Sequence, residues 1–152
     1  MGMKTRTISR HELDAEPYRI WNAFVDLLAT EDFHDLVVEQ RPAHLVFWYM
    51  SEVENGGHLQ YFENHGTNRL AATIEALSSL GAICHAKLLQ AAGALWLSCE
   101  RHSIQTVEEY CESALEGEFS VLDSRFQSCL PTLNQCLESC LKRNQSLFVT
   151  VT

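Results

Sequence analysis

Histidine and cysteine are the residue types in this chain that could bind a metal ion or act as a nucleophile. Cys99 and His102 lie three residues apart, which would let a thiol and a base meet on one helical face. His58, His65 and His85 could converge on a zinc ion if the fold brought them together. A small metal-dependent or thiol enzyme is therefore one hypothesis. The sequence contains no CxxC, HExxH or nucleophile-elbow motif, and we predict no catalytic residue, no metal site and no cofactor.

Three other cysteines have a structural interpretation. Cys129, Cys136 and Cys140 share a predicted helical face with leucines, and a buried free thiol behaves there as a small apolar side chain. No feature of the chain signals secretion, so we expect reduced thiols and a cytoplasmic protein.

Carboxylates are the remaining groups with a possible function, as a charged binding surface. The chain has 20 Asp and Glu against 11 Lys and Arg, a formal net charge of −9. Direct nucleic-acid binding is not expected, because it needs basic residues to neutralise phosphates. The excess of acids would suit a basic protein as partner, or would simply make the chain soluble. The predicted partner-binding residues follow one helical stripe and its edge: Glu108, Glu109, Glu112, Glu116 and Glu118.

The spacing of this stripe limits what it can do alone. Like charges four residues apart on a helix cost about 0.2–0.5 kcal/mol per pair, so a basic partner would relieve the repulsion. Successive carboxylates would nevertheless be ~6 Å apart along the helix, whereas duplex DNA carries a charge about every 1.7 Å. Copying DNA would need a second subunit or further acids, such as Glu31, Asp32, Asp35 and Glu39. The plainer interpretation is a solvated helix face.

The most distinctive local pattern is a predicted sharp corner between two packed helical segments. Glycine can adopt the left-handed backbone conformation that a Cβ disfavours, so Gly56 and Gly57 predict a tight turn. Tyr61 and Phe62 offer apolar surface that would wedge the following segment into the core. A structural corner is one interpretation, and a groove for a partner or ligand is the other. The residues of this corner are Glu54, Asn55, Gly56, Gly57, Gln60, Tyr61, Phe62 and Asn64.

The corner resembles the signature of the bacterial DNA-mimic protein family, which is also classed as a domain of unknown function. Two later segments are similar to the same family pattern, namely Leu80-Gly81-Ala82 after Ala76-Leu77, and Leu122-Asp123 with Phe126. The resemblance covers residues 40–142. This chain departs from the pattern within the corner, with His58 in place of the usual Phe and Leu59 in place of the usual Asp.

The resemblance implies a fold and a mode of action. It implies an all-α domain and, from the family's characterised member, an acidic homodimer that occupies the DNA-binding surface of a transcription factor. An inhibitor or immunity-type protein that binds a cognate toxin or enzyme would use the same acidic mechanism, and it stays open as a third hypothesis. Sharing a fold does not by itself establish a shared function.

Hydrophobic periodicity predicts the elements that would position these residues. Apolar residues recur at helical spacing from Ile20 to Leu28 and in later segments, and residues 42–54 predict a buried helix. We predict an all-α fold, a compact single domain of six to eight short helices with a short extended C-terminal tail. Residues 1–10 are predicted to be a basic flexible tail, 11–143 the helical domain and 144–152 the C-terminal tail. The longest apolar run, Leu45–Met50, is far shorter than the ~20 residues that span a bilayer.

Overall fold

Helices dominate the computed structural model, which describes residues 2–98, 117 and 119–152. The α-helices in these residues are α1 (Arg10–Ala15), α2 (Arg19–Thr30), α3 (Arg41–His65), α4 (Leu70–Ser79), α5 (Ile83–Leu97), α6 (Ser120–Ser128), α7 (Leu133–Arg143) and α8 (Gln145–Phe148). Two short 3-10 turns, Phe33–Asp35 and Val38–Gln40, connect α2 to α3. The predicted all-α fold is confirmed.

Local sequence signals explain where several helices begin and which face they bury. Ser9 and Thr132 form capping boxes with the residues three positions later, Glu12 and Gln135, at the starts of α1 and α7. In α2, the side chains of Phe24, Leu27 and Leu28 are buried, as the helical period predicts. Gly81 has φ +83° just after α4, a backbone conformation that favours glycine and ends the helix.

Helix α3 lies at the centre of the domain and packs against α2, α4, α6 and α7. Its first half is buried on several sides, which explains why the apolar run from Leu45 to Met50 shows no amphipathic period. Its course is interrupted at Gly56 and Gly57, whose backbone angles are not helical. The predicted buried helix and the corner after it are therefore both present.

The two chain ends meet in a small parallel sheet. Strand β1 (Arg6–Ile8) pairs with β2 (Val149–Val151), with Thr7 opposite Thr150. The Arg6 guanidinium donates to the Asp26 carboxylate at 2.6 Å, and its side chain also reaches Glu31 at 3.1 Å. The prediction of a flexible tail over residues 1–10 is therefore wrong for residues 6–10, because strand pairing, ion pairs and the start of α1 fix them.

A covalent link joins the start of α5 to the end of α6. Cys84 and Cys129 form a disulfide across 45 positions of sequence. The expectation of reduced thiols is therefore wrong for this pair, since the fold brings together two cysteines that share no sequence motif. Cys136 and Cys140 are free and buried in α7, as predicted, and burial raises the pKa of both thiols.

Within the described residues, no helix is both long enough and apolar enough to cross a membrane.

Candidate functional site

The corner in α3 owes its shape to two adjacent glycines. Gly56 has φ −149° and ψ 20°, and Gly57 has φ +73° and ψ −176°, a region that is essentially restricted to glycine. A Cβ on Gly57 would also lie 2.5 Å from Oδ2 of Asp123 in α6. Gly57 is therefore required both by the backbone angles and by the close approach of the Asp123 carboxylate.

Asp123 connects the corner to α6 through a relay of hydrogen bonds that runs from the half-exposed Asp123 carboxylate to buried His58 and Tyr49. Its Oδ1 accepts from the backbone N–H of His58 at 2.9 Å and lies 2.7 Å from His58 Nδ1. Because a carboxylate accepts, Nδ1 donates, and in the neutral ring Nε2 then accepts from the Tyr49 hydroxyl at 2.7 Å. Burial raises the pKa of Tyr49 well above its ordinary value, so the hydroxyl keeps its proton.

This relay gives the departure at His58 a structural role. The His58 side chain is fully buried, and Tyr49 is fully buried as well, so solvent has no access to the relay at either residue. A phenylalanine at position 58 would fill similar space without either side-chain hydrogen bond. The Tyr49–His58–Asp123 arrangement therefore ties α6 to both halves of α3.

A second polar network crosses the corner and is centred on Glu52. Its carboxylate accepts from Asn64 Nδ2 at 2.6 Å and from Gln60 Nε2 at 3.2 Å. Asn55 Nδ2 in turn donates to Gln60 Oε1 at 3.0 Å. The amide side chains of the corner thus link α3 before the kink to α3 after it, while Glu54 is exposed.

The aromatic residues of the corner pack inward. Tyr61 and Phe62 are buried, with the Tyr61 ring edge-on to Tyr49 at 5.2 Å between centroids. The Phe62 ring is stacked on Trp96 of α5 at 5.2 Å and on Phe119 at 5.9 Å. These side chains wedge the segment into the core, as their apolar surface predicts.

The residues predicted to bind a partner cannot be placed. Glu108, Glu109, Glu112, Glu116 and Glu118 lie outside the described residues, as do Cys99 and His102.

The three histidines considered as zinc ligands have other surroundings. His58 is held by Tyr49 and Asp123, whereas His65 lies 3.7 Å from a Glu52 carboxylate oxygen. The His85 ring is edge-on to an aromatic ring of α6, and burial lowers its pKa to about 4. Across residues 2–98, 117 and 119–152, no three His, Cys, Asp or Glu side chains form a group that could hold a metal ion.

The acids between α2 and α3 are partly neutralised within the chain. Glu31 accepts from Lys4 at 3.0 Å and from Arg6 at 3.1 Å, and Asp35 lies 3.8 Å from Lys4. The hydrogen bond from Lys4 is the main cause of the lowered pKa of Glu31. This face therefore offers less free negative charge to a partner than the residue types alone indicate.

A cavity of about 570 Å³ opens beside the corner, between the loop after α2, α3 and the start of α4. Its lining includes the corner residues Tyr61 and Asn64 together with Trp48 and Arg69. No sequence pattern predicts this cavity, because its walls come from segments that the fold brings together.

Comparison with known proteins identifies the family. A family model described as DMP19-like protein matches residues 34–144. The matched range contains all of α3 to α7, and with them the corner, the cavity wall on α3 and Asp123. No curated protein and no solved structure gives a significant match.

Proposed function

Because the chain belongs to the DMP19-like protein family, a family of non-enzymatic, DNA-mimic-type domains, we propose that it is an acidic protein-binding module. Its target is the DNA-binding surface of a basic regulatory protein, and its binding residues are the acids at positions 108–118. The single observation that carries this proposal is the family match over residues 34–144, together with a net charge of −9.

The charge distribution of the described residues supports the same assignment. Lys4 and Arg6 neutralise the acids around Glu31, whereas no described Lys or Arg forms an ion pair with the exposed Glu54. The matched family range, residues 34–144, includes neither β1 nor the two acids that Arg6 contacts, Asp26 and Glu31. Unpaired carboxylates such as Glu54 would attract a positively charged surface over several ångströms.

A second subunit belongs to this proposal. One helical stripe carries carboxylates too sparsely to match the phosphates of duplex DNA. A homodimer would present two such stripes, and light scattering of the purified protein at several concentrations would measure its mass. A strictly monomeric protein that still captures its partner would remove the dimer from the proposal while leaving the acidic surface in place.

The decisive experiment is affinity capture from the native cell, with and without competing duplex DNA. We expect the captured partner to be a DNA-binding protein, and we expect DNA to displace it. Capture should weaken steeply between low and high salt, because exposed charges are screened within about 8–10 Å at physiological ionic strength. The triple variant Glu108→Lys, Glu112→Lys, Glu116→Lys should abolish capture.

The matched control variant reverses the same number of acidic residues at other positions of the chain. Asp14, Glu75 and Glu138 are exposed acids on α1, α4 and α7, and none forms an ion pair with a described residue. Reversing these three to Lys changes the net charge equally and should leave most of the capture intact. Equal loss in both variants, or capture that is insensitive to salt, would reject the acidic-stripe proposal. A partner that DNA does not displace would favour the inhibitor or immunity-type function.

A further inference from the structure

The cavity beside the corner has the size of a small-molecule site. Its volume of about 570 Å³ lies within the ~300–1,000 Å³ typical of ligand pockets. Its described walls come from α3, the loop before it and the start of α4. The cavity therefore needs an explanation of its own.

One wall of the cavity is a continuous row of five rings. From the loop to the corner, neighbouring ring centroids are 5.9, 6.3, 6.4 and 5.4 Å apart. The Trp48 ring in the middle is anchored by its indole N–H, which donates to the Leu28 carbonyl at 3.1 Å. Such a wall favours a planar aromatic ligand, which would stack or pack edge-on against it. The rings belong to Phe33, His44, Trp48, His65 and Tyr61.

A cationic group lines the cavity without a carboxylate partner. The Arg69 guanidinium lies 4.0 Å from the centre of the Phe33 ring, and its one hydrogen bond to a described side chain is a long contact of 3.4 Å to His34. No described Asp or Glu lies within ion-pair distance of it. A guanidinium with free N–H donors is suited to bind a carboxylate through two parallel hydrogen bonds.

An anionic group lines the same cavity. The exposed Asp32 side chain forms no hydrogen bond or ion pair with any described residue, unlike its neighbour Glu31. Asp32 and Arg69 both line the cavity, and both act electrostatically on the His44 ring, in opposite directions. A ligand that satisfied both would carry one positive and one negative charge.

His44 supplies a third unsatisfied group at this wall. Its Nε2 lies 3.2 Å from the Glu31 carbonyl, which can only accept, so Nε2 carries the proton. Burial lowers the pKa of His44, which keeps the ring neutral and makes Nδ1 an acceptor. That buried Nδ1 has no hydrogen-bond partner, and a buried acceptor without a donor is destabilising.

We propose that this cavity binds a small aromatic zwitterion, of the class of the free aromatic amino acids. The aromatic ring lies against Trp48 and its neighbours, the carboxylate binds the Arg69 guanidinium, and the ammonium group binds Asp32. The protein is thus a small-molecule receptor in addition to any partner-binding role, and the two functions use different residues.

Three indole probes separate the contributions. Calorimetric titration of the full chain should detect binding of L-tryptophan, and weaker binding of indole-3-propionate, which lacks the amine, and of tryptamine, which lacks the carboxylate. Arg69→Gln should weaken L-tryptophan and indole-3-propionate about tenfold while sparing tryptamine, since about 1.4 kcal/mol corresponds to tenfold. Asp32→Asn should weaken L-tryptophan and tryptamine while sparing indole-3-propionate.

The controls keep the result independent of folding. Arg125→Gln and Asp14→Asn remove the same charges from exposed positions away from the cavity and should leave all three affinities unchanged. Loss of binding in Arg69→Gln supports the proposal if this variant unfolds at the same temperature as the wild type. The comparison of the three probes on the wild type tests the proposal without any variant. The absence of L-tryptophan binding at millimolar concentration would overturn the proposal, as would equal affinities for all three probes.

Discussion

At the scale of single residues, the corner depends on a contact that a side chain would prevent. Asp123 is held by the backbone N–H and the ring of His58, and this places its Oδ2 where a Cβ of residue 57 would be. Asp123 cannot move away without breaking both hydrogen bonds. Gly57 is therefore a requirement of the α3–α6 contact as well as of the turn itself.

We expect Gly57→Ala to lower the free energy of unfolding by about 3 kcal/mol, because it adds a steric clash to backbone strain of ~1–3 kcal/mol. Gly66→Ala is the matched control, since Gly66 also has positive φ (+59°) but no atom within 4 Å of its would-be Cβ. The free energy of unfolding of Gly66→Ala should fall only by the contribution of backbone strain. Urea denaturation of both variants measures the difference. Equal losses of stability in the two variants would show that the Asp123 carboxylate can move away from the added Cβ without destabilising the fold.

The buried His85 predicts a pH dependence of stability. Burial lowers its pKa from 6.5 to about 4, so between these values the unfolded chain binds more protons than the folded chain. The free energy of unfolding should therefore fall as the pH drops from about 6.5 to 4, by roughly 3 kcal/mol at most from this residue.

Urea denaturation at several pH values across this range tests the His85 contribution. His85→Gln should show a shallower decline than the wild type, whatever its stability at neutral pH. His11→Gln, at an exposed position of α1, controls for the loss of an imidazole and should keep the wild-type slope. Parallel curves for wild type and His85→Gln would contradict the assignment.

At the scale of elements, close packing and strand pairing explain features that look unfavourable or unstructured in the sequence. Gly93 lies inside α5, where glycine costs about 1 kcal/mol relative to alanine. A Cβ there would lie 2.7 Å from Leu70 Cδ2 of α4, so the glycine allows the two helices to approach.

Strand β1 likewise depends on a distant segment. Its extended conformation is stabilised by pairing with β2 at the other end of the chain.

Adjacent residues of β1 test whether the N-terminal segment is part of the fold. Ile8 is 5% exposed and Thr7 is exposed, so the two side chains lie on opposite faces of the strand. We expect Ile8→Ala to lower the free energy of unfolding by ~2–4 kcal/mol and Thr7→Ala by about 0.5 kcal/mol or less. Chemical denaturation measures both. If Ile8→Ala left the free energy of unfolding unchanged, the prediction of a flexible N-terminal tail would be restored.

At the scale of the whole molecule, one covalent bond connects the segments on either side of the acidic stripe. The Cys84–Cys129 disulfide closes a loop that contains residues 108–118. Closing a loop of 45 positions restricts the unfolded chain and stabilises the fold by roughly 2–4 kcal/mol. The redox state of this pair therefore affects the stability of the fold.

We expect a dithiol reductant to lower the thermal unfolding temperature of the wild type, because reduction removes this restriction on the unfolded chain. The double variant Cys84→Ser, Cys129→Ser should start at the lower temperature and respond less to the reductant. Peptide mapping without reduction should recover Cys84 and Cys129 as a linked pair. A wild type that is insensitive to reduction would count against the bond.

The sequence by itself determined the features that depend on neighbouring residues. Helical periodicity predicted α2, and the twin glycine predicted the corner in α3, because each signal acts within a few residues. The resemblance in the corner and in the Leu122-Asp123 segment predicted the DNA-mimic family that the match over residues 34–144 supports.

Only the tertiary structure decided the contacts between distant segments. The β1–β2 pairing, the Cys84–Cys129 disulfide and the Asp123–His58 relay each join residues at least 45 positions apart. The cavity likewise combines Asp32 with Arg69. No periodicity or motif encodes such pairs, because their proximity follows from how the helices pack. The chemistry of those residues could be recognised in the sequence, but their partners could not.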